Sequence, residues 1–208
     1  QRQMCIRDSN QYQLGMAVIQ YANTNNYLPG WRNAVPTTSG TFYYSWPVPV
    51  LPFVDKNDVY TAVINSMGPA PLIETLICPS APLDGVNGAA LTYSGNAGSA
   101  SNARRADGVM LDTSITVAAV SGRLGLDDIS NGDGTTNTLL LSEESSRFAN
   151  LAKWNVPVAT SGTFDYLDAA NAPPPCFGIY GTNPPAQVVN SSDTVTKAPG
   201  PLSQPSSQ

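Results

Sequence analysis

Three carboxylates crowd one glycine-rich segment: Asp127, Asp128 and Asp133 within LDDISNGDGTTNT. Carboxylate oxygens in such a loop can hold Ca2+, which takes about six to eight oxygen ligands. The EF-hand template fails on this segment. Counted from Asp128, its sixth position is Asp133 where glycine is required, and its twelfth is Leu139 where glutamate is required. Asp, Asn and Gly also make turns and cap helices without metal. The expectation is therefore a metal-free turn over 126–137. Asp127 or Asp128 caps a short helical turn there, and Gly132 and Gly134 supply positive φ. A Ca2+ site on the three aspartates is the rival.

A second acidic pair, Glu143-Glu144, follows a leucine run. Paired carboxylates serve as acid and base in glycosidases, but neighbours on a strand point to opposite faces, so these two do not converge. The expectation is a strand end that reaches solvent. The chain has no histidine, which removes Ser-His-Asp and Cys-His catalysis and every His-ligated metal. No serine sits in a G-x-S-x-G elbow, and Gly85-Val86-Asn87-Gly88 lacks a P-loop lysine. No catalytic residue is expected, and the chain is expected not to be an enzyme and to need no cofactor. Of the three cysteines, Cys78 and Cys176 can pair if the protein works outside the cytoplasm. Two buried free thiols are the alternative.

Charge narrows the partners. Net charge is −5, and the ten basic residues show no run longer than Arg104-Arg105, so a nucleic-acid footprint is missing. Hydrophobic residues are 41% and charged residues 12%, which suits a packed domain rather than a disordered chain. The 17 glycines and 18 prolines point to short elements joined by many turns.

The elements that must position these groups begin with a helix over 10–23. Leu14, Val18 and Tyr21 fall on one apolar stripe beside Ala17 and Ala22, with Ser9 or Asn10 as cap. Residues 31–52 gather Trp31, Phe42, Tyr43, Tyr44 and Trp46 with Pro47, Pro49 and Pro52. The prolines exclude a central strand over 47–52. The aromatics are either core filler or a sugar-stacking platform. A short helix is expected over 55–66, with Val59, Ala62 and Val63 facing inward. Strands are expected over 72–78, 91–96, 108–111, 117–120 and 138–143. TLLLSE is the most apolar and is expected to be central, with Leu139 and Leu141 buried together and Leu140 on the opposite face. Beyond residue 150 the pattern weakens, and 191–208 is Ser/Pro/Gln-rich like a tail.

Five segments, in order, resemble one large bacterial family. They are QLGMAVIQYANTNNYLPG, SWPVPVLPFVDKNDVY, ICPSAP, LTYSGNAGS and LGLDDISNGDGTTNTLLLSEE. The likeness runs over about 13–144 and is to type IV pilin-like, type II secretion pseudopilin-like proteins with a C-terminal domain of unknown function. The resemblance implies an α+β pilin-like fold, in which an N-terminal helix packs on an antiparallel β-sheet with long loops. It implies a structural role, at the cell surface or in the periplasm, with other pilin-like subunits or secretion machinery as partners. It also implies a prepilin start whose apolar helix spans the inner membrane, the only membrane contact expected. An extracellular glycan-binding module, stacking on Trp31, Tyr43, Tyr44 and Trp46, is the alternative.

QRQMCIRDS does not match the opening of that family, whose cysteine would fall near Arg7. Residues 1–9 are accordingly expected to be a non-native leader, 10–190 the pilin-like domain and 191–208 a truncated tail.

Overall fold

The computed structural model describes residues 2–66, 70–80, 88–97, 108–111, 113, 123–143, 153–155, 157 and 176–177. The architecture is mixed α+β: a long N-terminal helix with small sheets set against it. Helix α1 spans Arg2–Asn25, longer than the stripe alone predicts. Gln, Arg and Met are good helix formers, so residues upstream of the stripe join the same helix. Ser9 and Asn10 therefore lie inside α1 and cap nothing. The helix stops where Asn26 takes a left-handed φ of 62°, a conformation asparagine tolerates. Two side chains satisfy carbonyls of its last turns. Thr24 Oγ1 donates to Gln20 O at 2.9 Å, and Asn25 Nδ2 donates to Tyr21 O at 2.9 Å.

A hairpin follows, formed by β1 (Asn33–Thr37) and β2 (Gly40–Tyr44). The pair is antiparallel, with Asn33 opposite Tyr44 and Pro36 opposite Thr41. Proline is admissible because, among the described residues, neither strand has a second neighbour. The tip is tied down by Thr38 N, which donates to Ile64 O at 2.9 Å. Pro47–Val50 forms α2 and Leu51–Val54 a 3-10 turn, so the prolines give helical turns where a strand is excluded. Helix α3 covers Asn57–Ile64 and buries Val59, within the span expected.

The second sheet has the order β4-β3-β5, with β3 at Tyr93–Asn96, β4 at Leu141–Glu143 and β5 at Cys176–Phe177. Strands β3 and β4 are antiparallel, with Tyr93 opposite Glu143, while β3 and β5 are parallel. The sheet is thus mixed rather than purely antiparallel. The leucine run forms its edge, not its centre. Leu139 is 57% exposed, and Leu140 and Leu141 are only half-buried. The central place goes to β3, where Tyr93 and Ser94 are fully buried.

Two further strand expectations fail. Residues 72–78 hold a 3-10 turn at Glu74–Leu76, because Leu76 N and Ile77 N bond back to Ile73 O and Glu74 O. Residues 108–111 form no ladder. Val109 N and Met110 N both donate to Asn96 O, which wraps this segment around the end of β3. The span 117–120 lies outside the described residues, as does the tail.

One core joins these parts. Leu14, Val18 and Tyr21 enter it from α1 as expected, with Leu28, Trp46, Leu51, Tyr93 and Trp154. At about 25 cal/mol per Å2 of apolar surface, burying each large side chain contributes about 1.5–3 kcal/mol before entropy is counted. α4, at Leu126–Asn131, adds Ile129 to the same core.

Candidate functional site

The aspartate segment folds as the turn that its composition predicts. Asp128 Oδ2 accepts a hydrogen bond from Gly125 N at 2.8 Å, satisfying an amide at the start of α4. Asn137 Nδ2 donates to Asp133 O and Thr138 Oγ1 to Gly134 O. Gly134 has a φ of +85°. Gly132 does not follow expectation: its φ is −92°, so it needs no left-handed freedom. Asp127, Asp128 and Asp133 are all exposed, and among the described residues no three acidic or thiol side chains converge on one point. An open pocket of about 290 Å3 lies beside this turn, with Asn96, Asp128, Asp133 and Asn137 in its wall.

Glu143 does not simply reach solvent. It meets the middle of α1, where Gln11 Nε2 donates to its Oε1 at 2.9 Å and Arg7 Nε lies at 3.3 Å. Arg7 also lies 3.2 Å from Asp8. Asp8 and Glu143 together hold the half-buried Arg7 guanidinium above its usual range. One turn along the helix, Asn10 Nδ2 donates to Glu74 O at 3.2 Å and to Ile77 O at 3.0 Å. These polar contacts pin α1 to the 3-10 turn at Glu74–Leu76 and to β4. Tyr93 lies beneath them, and burial pushes its phenol up, with Cys78 and Glu143 adding to the shift. Glu144 lies outside the described residues.

Cys78 is buried and carries a free thiol. Its N–H donates to Thr92 Oγ1, whereas Cys176 pairs with Gly95. Cys5 is exposed on α1.

The aromatic run belongs mainly to the core. Trp46 is 0% exposed, Trp31 5% and Tyr44 8%. Only Tyr43 and Phe42 stand nearer solvent, and the Arg32 guanidinium covers the Tyr43 ring at 4.6 Å. Buried rings offer no face to a sugar, so the stacking platform expected at Trp31, Tyr43, Tyr44 and Trp46 does not form.

A different set of rings, which sequence spacing did not single out, lines an open cleft of about 350 Å3 at the end of α1. Tyr21 and Tyr27 meet edge to face at 5.9 Å, and Tyr21 meets Phe53 the same way at 5.8 Å. Tyr60 completes the ring surface, and Arg123 stacks on Tyr27 with its guanidinium carbon 4.4 Å from the centroid. Burial raises the Tyr21 phenol well beyond its ordinary value, with Tyr27 adding to the shift, and burial alone raises that of Tyr60. These rings come from four chain segments, so no local pattern announces them.

The N-terminal part of α1 stands apart from all of this. Gln3, Met4, Cys5 and Ile6 are exposed, Met4 at 56% and Ile6 at 46%. No helix among the described residues is long and apolar enough to cross a membrane.

The family model that matches the chain is described as "Protein of unknown function (DUF1559)" and covers residues 5–205. No curated protein and no solved structure matches.

Proposed function

The chain belongs to the DUF1559 family of unknown function, and from that premise we propose a structural, non-enzymatic role as a pilin- or pseudopilin-like subunit. The observation that supports it is the division of α1. Leu14, Ala17, Val18, Tyr21 and Ala22 build one face of it into the domain, while Tyr12 and Met16 present apolar surface to solvent from the other. A subunit that joins others through a shared helix needs this division, one part fixed to its own domain and one part left open to neighbours. In this role its partners are other pilin-like subunits or secretion machinery, and its place is the periplasm or cell surface, anchored at the inner membrane. The absence of histidine from the sequence supports the non-enzymatic part, since the common acid–base side chain near neutral pH is missing. A photo-crosslinking residue at position 12 or 16 of the full gene product, in its own cells, tests the proposal. Adducts to a second copy or to another pilin-like subunit, recovered with the inner membrane, are expected. A cytosolic product without adducts contradicts it.

A further inference from the structure

We propose that the cleft bounded by Tyr21, Tyr27, Phe53, Tyr60 and Arg123 is a binding site for a small aromatic carboxylate. Its volume of about 350 Å3 falls within the range of small-molecule sites, which are mostly apolar with a few placed polar groups. The walls are ring surface, extended by the pyrrolidines of Pro36, Pro49 and Pro52. Such walls favour a flat apolar body. The phenols of Tyr21 and Tyr60 stay protonated past their ordinary range, so these rings bring no negative charge to the cleft at neutral pH.

The polar groups decide the rest of the ligand. Arg123 is the one charged side chain among the described residues of the wall, and no carboxylate lies there. Its guanidinium carbon lies 4.4 Å from the Tyr27 centroid, and among the described residues no carboxylate pairs with it, so its N–H groups can take a bidentate acceptor. The Thr and Asn side chains of the wall are already engaged within the protein. Thr24 bonds Gln20 O, and Asn25 bonds Tyr21 O. Asn33 bonds Gly30 and Tyr44 O, and Thr113 bonds Arg32 O and Asn33. A sugar, which needs many hydrogen bonds, finds only phenol hydroxyls beside Arg123, whereas a carboxylate needs only Arg123. The cleft therefore selects a planar apolar body with a single anionic end. It operates whether or not the chain assembles with others.

Calorimetric titration of the protein with phenylacetate, phenylacetamide and glucuronate tests the proposal. Phenylacetate is expected to bind saturably, with a Kd of about 1 mM or tighter. Phenylacetamide, the same body without the charge, is expected to bind about tenfold more weakly or worse. Arg123→Gln is expected to remove that preference and leave the amide unchanged; Arg123 is exposed, so the fold survives the change. Three results overturn the proposal: no saturable phenylacetate binding, equal affinity for acid and amide, or tighter binding of glucuronate than of phenylacetate.

Discussion

The two halves of α1 share one backbone geometry and differ in everything that holds them. From Leu14 to Ala22 the helix is a core element: Leu14 and Val18 are 0% exposed and Ala17 1%. From Gln3 to Ser9 its contacts to the domain are polar and lateral, chiefly Arg7 to Glu143, and its apolar side chains face solvent. A short helix is marginal in water on its own. The distal half is therefore helical because the proximal half is anchored. Asn10 and Gln11 mark the boundary, where polar side chains take over from apolar ones.

The largest effect that sharpens this contrast comes from truncating one side chain in each half. Leu14→Ala leaves a cavity in the core and is expected to cost about 2–5 kcal/mol. Met4→Ala and Ile6→Ala are expected to stay within about 0.5 kcal/mol. Urea denaturation of the three variants measures the difference, and comparable losses in both halves would break the comparison.

Alkaline pH probes the buried half next. The phenols of Tyr21 and Tyr93 are raised by burial above their ordinary 10.0. Their contribution is fully present below pH 10. Above it the unfolded chain loses these protons while the folded one keeps them, so stability falls as pH rises. The slope is about 1.4 kcal/mol per pH unit for each phenol. Tyr21→Phe is expected to make the decline shallower; an unchanged slope in that variant contradicts the assignment.

A smaller loss is expected at the boundary. Asn10→Ala leaves Glu74 O and Ile77 O without their side-chain donor, costing about 1–2 kcal/mol. Thermal melting checks this, with Asn10→Asp as a second variant that also cannot donate. The smallest effect belongs to the distal half. Glu143→Gln weakens the partly solvated pairing with Arg7, and the small difference from the parent is expected to shrink in about 1 M salt.

The buried half of α1 was legible because its stripe repeats at helical spacing. The distal half was not, since Gln3 to Ser9 carries no stripe and its helicity is inherited from its neighbour. The leucine run misled for a related reason. Three apolar residues in a row imply cover on both faces, yet among the described residues β4 pairs on one side only, and Leu139, just before it, stays in water. The hairpin of β1 and β2 is not legible because Pro36 interrupts a strand pattern, which is tolerable on a strand with no outer neighbour among the described residues. At the aspartate turn, Asp128 and Gly134 behaved as their chemistry predicts because the forces there are local. The aromatic cleft was invisible because Tyr21, Tyr27, Phe53, Tyr60 and Arg123 meet only through the tertiary fold.

Native-state hydrogen exchange along α1 tests the division of the helix most directly. Amides from Ala17 to Ala22 are expected to exchange only with global unfolding, and those from Ile6 to Ser9 on the order of a thousandfold faster through local fraying. Uniform protection from Ile6 to Ala22 would contradict the division, since the distal half would then be held as firmly as the core.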